Sequence, residues 1–283
     1  MKQYHDLIKF VLENGRTKGD RSGFWVRSHF GYTMRFNLEE GFPLITTRKM
    51  PIRWIKHELL WFISGESNNT KYLEENGVHL WDQFAYNVTE YEEYQFEPGE
   101  LGPMYGYQWR KWPDYNGGEV DQLARVIELI KTDPNSRALI VSAWNAAQID
   151  EMRLPPCHTF FQFYVRKDKL SMMLYQRAGD VFIGVPYNIA EYSLLLSMVA
   201  QVTGLIPHEF VHVIGDAHIY KNHKEQSLKL LEREPYPLPE LWLNSAIKDI
   251  DDFTAKDIKI KGYKSHPKTV SYTHLTLPTK RIV

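Results

Sequence analysis

The single cysteine of the chain lies in Leu154-Pro155-Pro156-Cys157-His158, where two prolines fix the backbone just before the thiol and a histidine follows it. A thiolate there is a nucleophile, and the adjacent imidazole offers a proton partner or a hydrogen bond. The same segment also fits a buried inert thiol, or a hydrolase-type Cys–His pair, although the local signatures of those hydrolases are absent. Three arginines sit at expected loop or strand ends, Arg21 in Gly19-Asp20-Arg21-Ser22-Gly23, Arg137 in Asn135-Ser136-Arg137 and Arg177 in Tyr175-Gln176-Arg177. A guanidinium fork in such a place can grip an oxyanion through two parallel hydrogen bonds, and a surface ion pair is the competing reading for each. Glu58 enters the apolar run Leu59-Leu60-Trp61-Phe62, surroundings that should raise a carboxyl's proton affinity and suit it to proton transfer, unless it faces solvent on a helix. In Gly215-Asp216-Ala217-His218-Ile219-Tyr220-Lys221-Asn222-His223, a continuing strand would put His218 and Tyr220 on one side, two polar tips for a sugar hydroxyl. His218 and His223 lack metal-binding spacing and a cysteine partner, and the Glu58 segment is not HExxH, so no metal is expected.

These groups need a scaffold. Apolar periodicity predicts helices over 3–14, 51–64, 120–132 and 187–203, with a shorter one near 221–232. Pro51 suits a first turn, and the helix starting near Asn188 is apolar on almost every side, which predicts burial over most of its circumference. Alternating or apolar runs predict strands over 28–36, 138–144, 159–166, 170–176 and 209–215, with Arg166-Lys167-Asp168-Lys169 as a hairpin turn. Helices and antiparallel-looking strands mix without regular βαβ alternation, which predicts an α+β fold.

Bulk composition narrows the function classes. The chain has 283 residues, 43% hydrophobic and 14% aromatic, with a formal charge of −1. That balance gives no global field for nucleic acid or membrane, so an anionic ligand must meet a local cluster of arginines. One cysteine excludes an intrachain disulfide framework. No signal peptide or spanning segment is read, and a soluble cytoplasmic protein is expected. One catalytic domain is expected over 1–267. The tail from Lys268, KTVSYTHLTLPTKRIV, differs from the rest in composition and is expected to be atypical and non-native.

Several of these motifs together resemble the thymidylate synthase family. Pro155-Pro156-Cys157-His158 with Gln162-Phe163-Tyr164-Val165 is similar to its nucleophile segment. Tyr175-Gln176-Arg177, Asp180, Gly184 and Pro186-Tyr187-Asn188-Ile189-Ala190 are similar to its nucleotide-binding stretch. The resemblance continues through Gly215 to Tyr220, Asn222-His223, Arg21, Glu58 to Trp61, Trp81-Asp82, Gly102-Pro103 and Tyr105-Gly106, covering about 1–267 in order.

The resemblance implies a large twisted mixed sheet packed with helices, with a sheet face at a homodimer interface. It implies conversion of dUMP to dTMP with 5,10-methylenetetrahydrofolate as one-carbon and hydride donor, giving dihydrofolate. Thiolate addition at C6 of uracil makes C5 nucleophilic, which fits the chemistry of Cys157. By the same resemblance, Arg21 and Arg177 hold the phosphate, and Arg137 reaches in from the partner subunit. Gln176 and Asp180 line the nucleotide site, while His218 and Tyr220 bind the sugar. Asn188 reads N3–H and O4 of the base, an amide suiting uracil where Asp would suit cytosine. Glu58 relays protons with His158 in the same network, and Tyr105 assists loss of the C5 proton. Trp81, Asp180 and Gly184 contact the folate. No nucleic acid is required.

Four departures bear on this. Ala178 stands where the family usually has Ser, and Ala138 where it has a second Arg. Each lost hydrogen bond to a charged group costs about 1.5–3 kcal/mol, roughly tenfold or more in nucleotide affinity. Phe24 and Trp25 replace small residues in the loop after Arg21, and the residues after His266-Pro267 do not match the family's short apolar end. Poor closure would let water compete with hydride. A pyrimidine-nucleotide hydroxymethylase of the same fold, or a weakened nucleotide- or folate-binding homologue, are therefore the alternatives.

Overall fold

Every third or fourth residue of the N-terminal segment is apolar, and Tyr4, Leu7, Ile8 and Val11 accordingly bury one face of α1 (Lys2–Asn14). The computed structural model describes residues 1–19, 25–86 and 96–269; Arg21, Phe24 and the tail from 270 lie outside the described residues. After α1 come β1 (Arg16–Gly19) and β2 (Trp25–Asn37). α2 (Ile52–Ser64) starts one residue after Pro51 and ends on Gly65, whose left-handed backbone closes the last turn. Short helices follow, α3 (Lys71–Glu75), α4 (Asp82–Ala85) and α5 (Gly106–Arg110), then the small pair β3 (Trp112–Pro113) and β4 (Glu119–Val120). α6 (Gln122–Thr132) is capped by Asp121, whose side chain accepts from Ala124 N at 2.9 Å.

The site-bearing half of the chain is β5 (Ile140–Ser142), β6 (His158–Arg166), β7 (Lys169–Asp180), α7 (Gly184–Thr203) and β8 (Ile206–Tyr220). α8 (Lys224–Leu231) and the hairpin of β9 (Glu240–Leu243) with β10 (Ile258–Lys261) complete it. The expected turn between β6 and β7 is present, with Lys167 taking the left-handed conformation at φ 57°.

The sheet is α+β in character and mixed, with order β1-β2-β8-β7-β6-β5. Its neighbours run antiparallel except β7 and β8, which are parallel. The sheet is thus mixed, as the family resemblance implies, although its strands look antiparallel by sequence. A parallel pair needs a long crossover, and α7 supplies it. α7 opens at Gly184, three residues earlier than periodicity predicts, because Pro186 is tolerated in a first turn whose N–H groups have no helical acceptor.

α7 is buried along most of its length, as its all-round apolar sequence predicts. Its serines satisfy themselves inside the core: Ser193 Oγ donates to Ile189 O at 2.7 Å and Ser197 Oγ to Ser193 O at 2.8 Å. Against it pack the alternate residues Phe161 and Phe163 of β6, Met172 and Leu174 of β7, and Phe210 and Ile214 of β8. The intervening residues form a second face that carries stacked Phe160 and Tyr175, with ring centroids 5.8 Å apart. Phe30 and Tyr164 are 82% and 65% exposed.

Candidate active site

Cys157 lies just before β6, and the two prolines ahead of it turn their carbonyls toward Arg177. Arg177 donates from Nε to Pro156 O at 2.9 Å and from Nη2 to Pro155 O at 2.5 Å. The same Nη2 stands 3.8 Å from Cys157 Sγ, and Arg177 N donates to Cys157 O at 2.8 Å. A proline carbonyl is unblocked even though its nitrogen has no hydrogen, so the Pro-Pro step is a rigid pair of acceptors for a guanidinium fork. The result places a fixed positive charge beside a half-buried thiol, the arrangement that favours thiolate. Trp144 lies under the guanidinium, 5.8 Å from its ring centroid. Sequence reasoning missed Trp144; an indole at the end of a predicted strand carries no distinguishing pattern.

Tyr105 holds the other side of the nucleophile, with Cys157 N donating to its phenol oxygen at 2.9 Å. Tyr105 is 2% exposed and has φ 46°, a left-handed conformation that a non-glycine residue keeps only when its surroundings fix it. Its ring stacks on Phe62 of α2 at 4.9 Å and meets Trp81 edge-on at 5.7 Å. Gly106 makes this possible, because a Cβ there would lie 1.9 Å from Phe62 O. Burial, and then the neighbouring Cys157, push the Tyr105 phenol well above its ordinary range, so it stays protonated.

His158 does not serve the thiol as the adjacent-imidazole reading expects. Its ring lies in the core, 5.2 Å from both Tyr105 and Tyr192. Burial, opposed by a hydrogen bond to Asn188 and reinforced by Arg177, pushes His158 down to about 4. A neutral imidazole of such low proton affinity is a poor base for a thiol, which argues against a hydrolase-type Cys–His pair.

Asn188 in the first turns of α7 is oriented by a chain of amides and imidazole. His212 Nε2 meets Gln176 Oε1 at 2.7 Å, and Gln176 Nε2 donates to Asn188 Oδ1 at 3.1 Å and to Ala178 O at 2.9 Å. Burial pushes His212 down to about 3, so its ring stays neutral. Gln176, named in the sequence as a binding residue, thus has its amide committed to Asn188. His212 was missed, although a histidine on the apolar alternation Phe210, His212, Ile214 was a visible signal.

Glu58 is buried on α2 and accepts from Trp81 Nε1 at 2.7 Å, so the exposed-face reading is excluded. Beside it lies a carboxyl that the sequence reading did not single out, Glu191 of α7, which is 1% exposed. Burial first, and then Glu58, push the Glu191 carboxyl well above its ordinary range.

β8 does continue as expected, and brings His218 and Tyr220 to one end with ring centroids 5.3 Å apart. Asp180 of β7 is in register with His218. Burial lowers His218, but the hydrogen bond and charge of Asp216 together with Asp180 outweigh it and leave the imidazole raised. Despite its own burial, Asp216 is held well below the usual carboxylate range by His218, Lys18 and Ser28, the last donating at 2.6 Å. Asp180 Oδ1 accepts from Phe182 N and Ile183 N, both at 3.0 Å, and so also ties down the turn into α7. Gly184 follows that turn.

Of the residues predicted for the site, Cys157, Arg177, Tyr105, His158, Asn188, Gln176, Glu58 and Trp81 are linked by the contacts above. Asp180, Gly184, His218 and Tyr220 form the adjoining end of β7, α7 and β8. Arg137 is apart: it is exposed in the turn before β5, where its carbonyl accepts from Gln162 Nε2 at 3.3 Å. Arg21 lies outside the described residues. A concavity of about 630 Å³ between Leu38–Phe42 and Leu238–Leu243 contains none of these groups. No described helix is long and apolar enough to cross a membrane.

The thymidylate synthase family model matches residues 2–273 of the 283, the span that carries every group just described, and the chain belongs to the thymidylate synthase family.

Proposed function

We propose that the protein is a thymidylate synthase, converting dUMP to dTMP with 5,10-methylenetetrahydrofolate as co-substrate. The observation that carries the reading is the Cys157 sulfur 3.8 Å from a guanidinium that is itself clamped by the carbonyls of Pro155 and Pro156. Cys157 adds to C6 of the base, and the negative charge moves to O4 and C5. Asn188, held by Gln176, accepts from N3–H and donates to O4; Glu58 manages the proton at O4 through water. Tyr105, next to Cys157 N, lies where it can assist loss of the C5 proton. Arg177 and Arg21 take the phosphate, while His218, its proton affinity raised by Asp216 and Asp180, and Tyr220 take the sugar.

The folate supplies the one-carbon unit and the hydride. Residues at its expected position have suitable chemistry: Asp180 offers an acceptor for ring N–H groups at the head of α7. Trp81 offers an indole, though 7% exposed and with its N–H given to Glu58, so its larger part here is to aim that carboxylate. The half-exposed second sheet face, with Phe160, Tyr175 and Tyr164, suits a second copy of the chain, and exposed Arg137 suits service to a partner's phosphate site. One domain over 1–267 with an atypical tail, and a cytoplasmic setting, belong to the same reading.

The test is to mix the protein with dUMP and methylenetetrahydrofolate, following dihydrofolate by absorbance and the nucleotide by mass. Dihydrofolate with a methylated base is the expected result. Tetrahydrofolate with a hydroxymethylated base would replace the proposal by a hydroxymethylase, and neither product by a binding protein.

A further inference from the structure

Glu191 follows Asn188 by three residues on α7, so the two project from the same side of the helix. The site described above gives Glu191 no task. Yet it is 1% exposed, both carboxyl oxygens are buried with no partner in good hydrogen-bond geometry, and the polar side chains that act on the carboxyl are Glu58 and Asn188. Burying a carboxylate beside a second carboxyl is among the costliest choices a fold can make, and it favours the protonated form of Glu191. Its facing groups come from every surrounding element. They are Glu58 from α2, with Trp81 donating to that carboxylate; Asn188, Tyr187 and Tyr192 on α7; Tyr105 at the head of α5; and His158 of β6 beyond Asn188. Arg48 acts on Tyr187, and Arg177 on Tyr105 and His158. Around Glu191, then, Glu58 is the acidic neighbour, the tyrosines are held protonated by burial, and His158 is neutral.

Two carboxyls in a dry pocket cannot both ionise cheaply. We propose that Glu191 is a positioning residue that keeps one proton in a dyad with Glu58, so that the site holds a donatable hydrogen beside the base-reading amide of Asn188 at neutral pH. Its use in turnover rests on the proposed reaction: as the thiolate adds, the carboxyl O–H bond breaks, and a proton passes through water to O4 of the base. The dyad's charge changes from −1 to −2 in that step and is restored when the proton returns. An acid of the ordinary carboxylate range would already have lost this proton at pH 7.

The dyad makes a claim about proton storage that is separable from turnover. Infrared difference spectra of the whole protein without ligand should show a buried protonated carboxyl at pH 7, absent from Glu191→Gln and present in Glu58→Gln, where Glu191 remains buried. In turnover, the pH profile of kcat in Glu191→Gln should lose its descending alkaline limb and flatten toward high pH. The rate at pH 8 should fall at least about tenfold, with KM for the nucleotide within threefold, and Glu191→Asp should restore part of the profile. No protonated carboxyl in the parent at pH 7, or a Glu191→Gln profile that superimposes on the parent after scaling, overturns the proposal. A positive infrared result in a protein that makes no thymidylate would leave the dyad standing and remove the proposed reaction instead.

Discussion

Replacing Arg177 with Gln removes the guanidinium that stands 3.8 Å from Cys157 Sγ. At an effective dielectric of about 20, a unit charge pair at that distance is worth about 4.4 kcal/mol. The thiol is half-buried, and solvent screening brings this to about 1.4–2.8 kcal/mol. At a fixed pH where the thiol is the major form, the thiolate fraction should therefore fall about 10- to 100-fold. Iodoacetamide alkylation, followed by intact mass, reads that fraction without any substrate. Arg177→Lys separates the charge from the clamp, since Lys keeps the positive charge but cannot span the carbonyls of Pro155 and Pro156. The expected order of alkylation rate is parent, Lys variant, Gln variant. Equal rates in all three would refute the reasoning that this guanidinium activates the sulfur.

Tyr105→Phe leaves Cys157 N without its 2.9 Å acceptor, which should cost about 1–3 kcal/mol of stability and lower kcat at least tenfold with KM little changed; urea titration and steady-state kinetics check both. His158 and His212 lie at about 4 and about 3 in the fold, below the ordinary 6.5, so their stabilising share is whole above pH 6.5 and is lost as pH falls toward those values. Each should cost about 2–3 kcal/mol by pH 4.5; unfolding midpoints that do not move between pH 7 and 4.5 would contradict this. Gly106→Ala drives a Cβ to within 1.9 Å of Phe62 O, and a loss of about 2–4 kcal/mol, or insoluble protein, is expected; an unchanged melting temperature would count against the packing described.

The elements with strong periodicity were legible. α7 needed only its unbroken apolar run, and β6, β7 and their turn followed from alternation and from the four polar residues between them. The parallel pairing of β7 with β8 was not legible from alternation, because strand direction is set by the connection and not by side-chain period. α3, α4 and α5 are too short to show a period, yet α5 is what places Tyr105. For the site, residue types named Cys157, Arg177 and Glu58, and the family resemblance added Asn188 and Tyr105. What they withheld was direction: that His158 points into the core, that Trp81 serves Glu58, and that Gln176 serves Asn188. Glu191 escaped because a lone acid in an apolar helix reads as an exposed interruption until its neighbours are known.

The most direct test of the sulfur's role uses 5-fluoro-dUMP, whose C5 carries no removable proton, together with methylenetetrahydrofolate. A stable adduct of protein, nucleotide and folate is expected by intact mass, mapping to the peptide that contains Cys157 and missing from Cys157→Ser. Turnover of dUMP by a protein that forms no bond to Cys157, or an adduct that maps to another residue, would contradict the account.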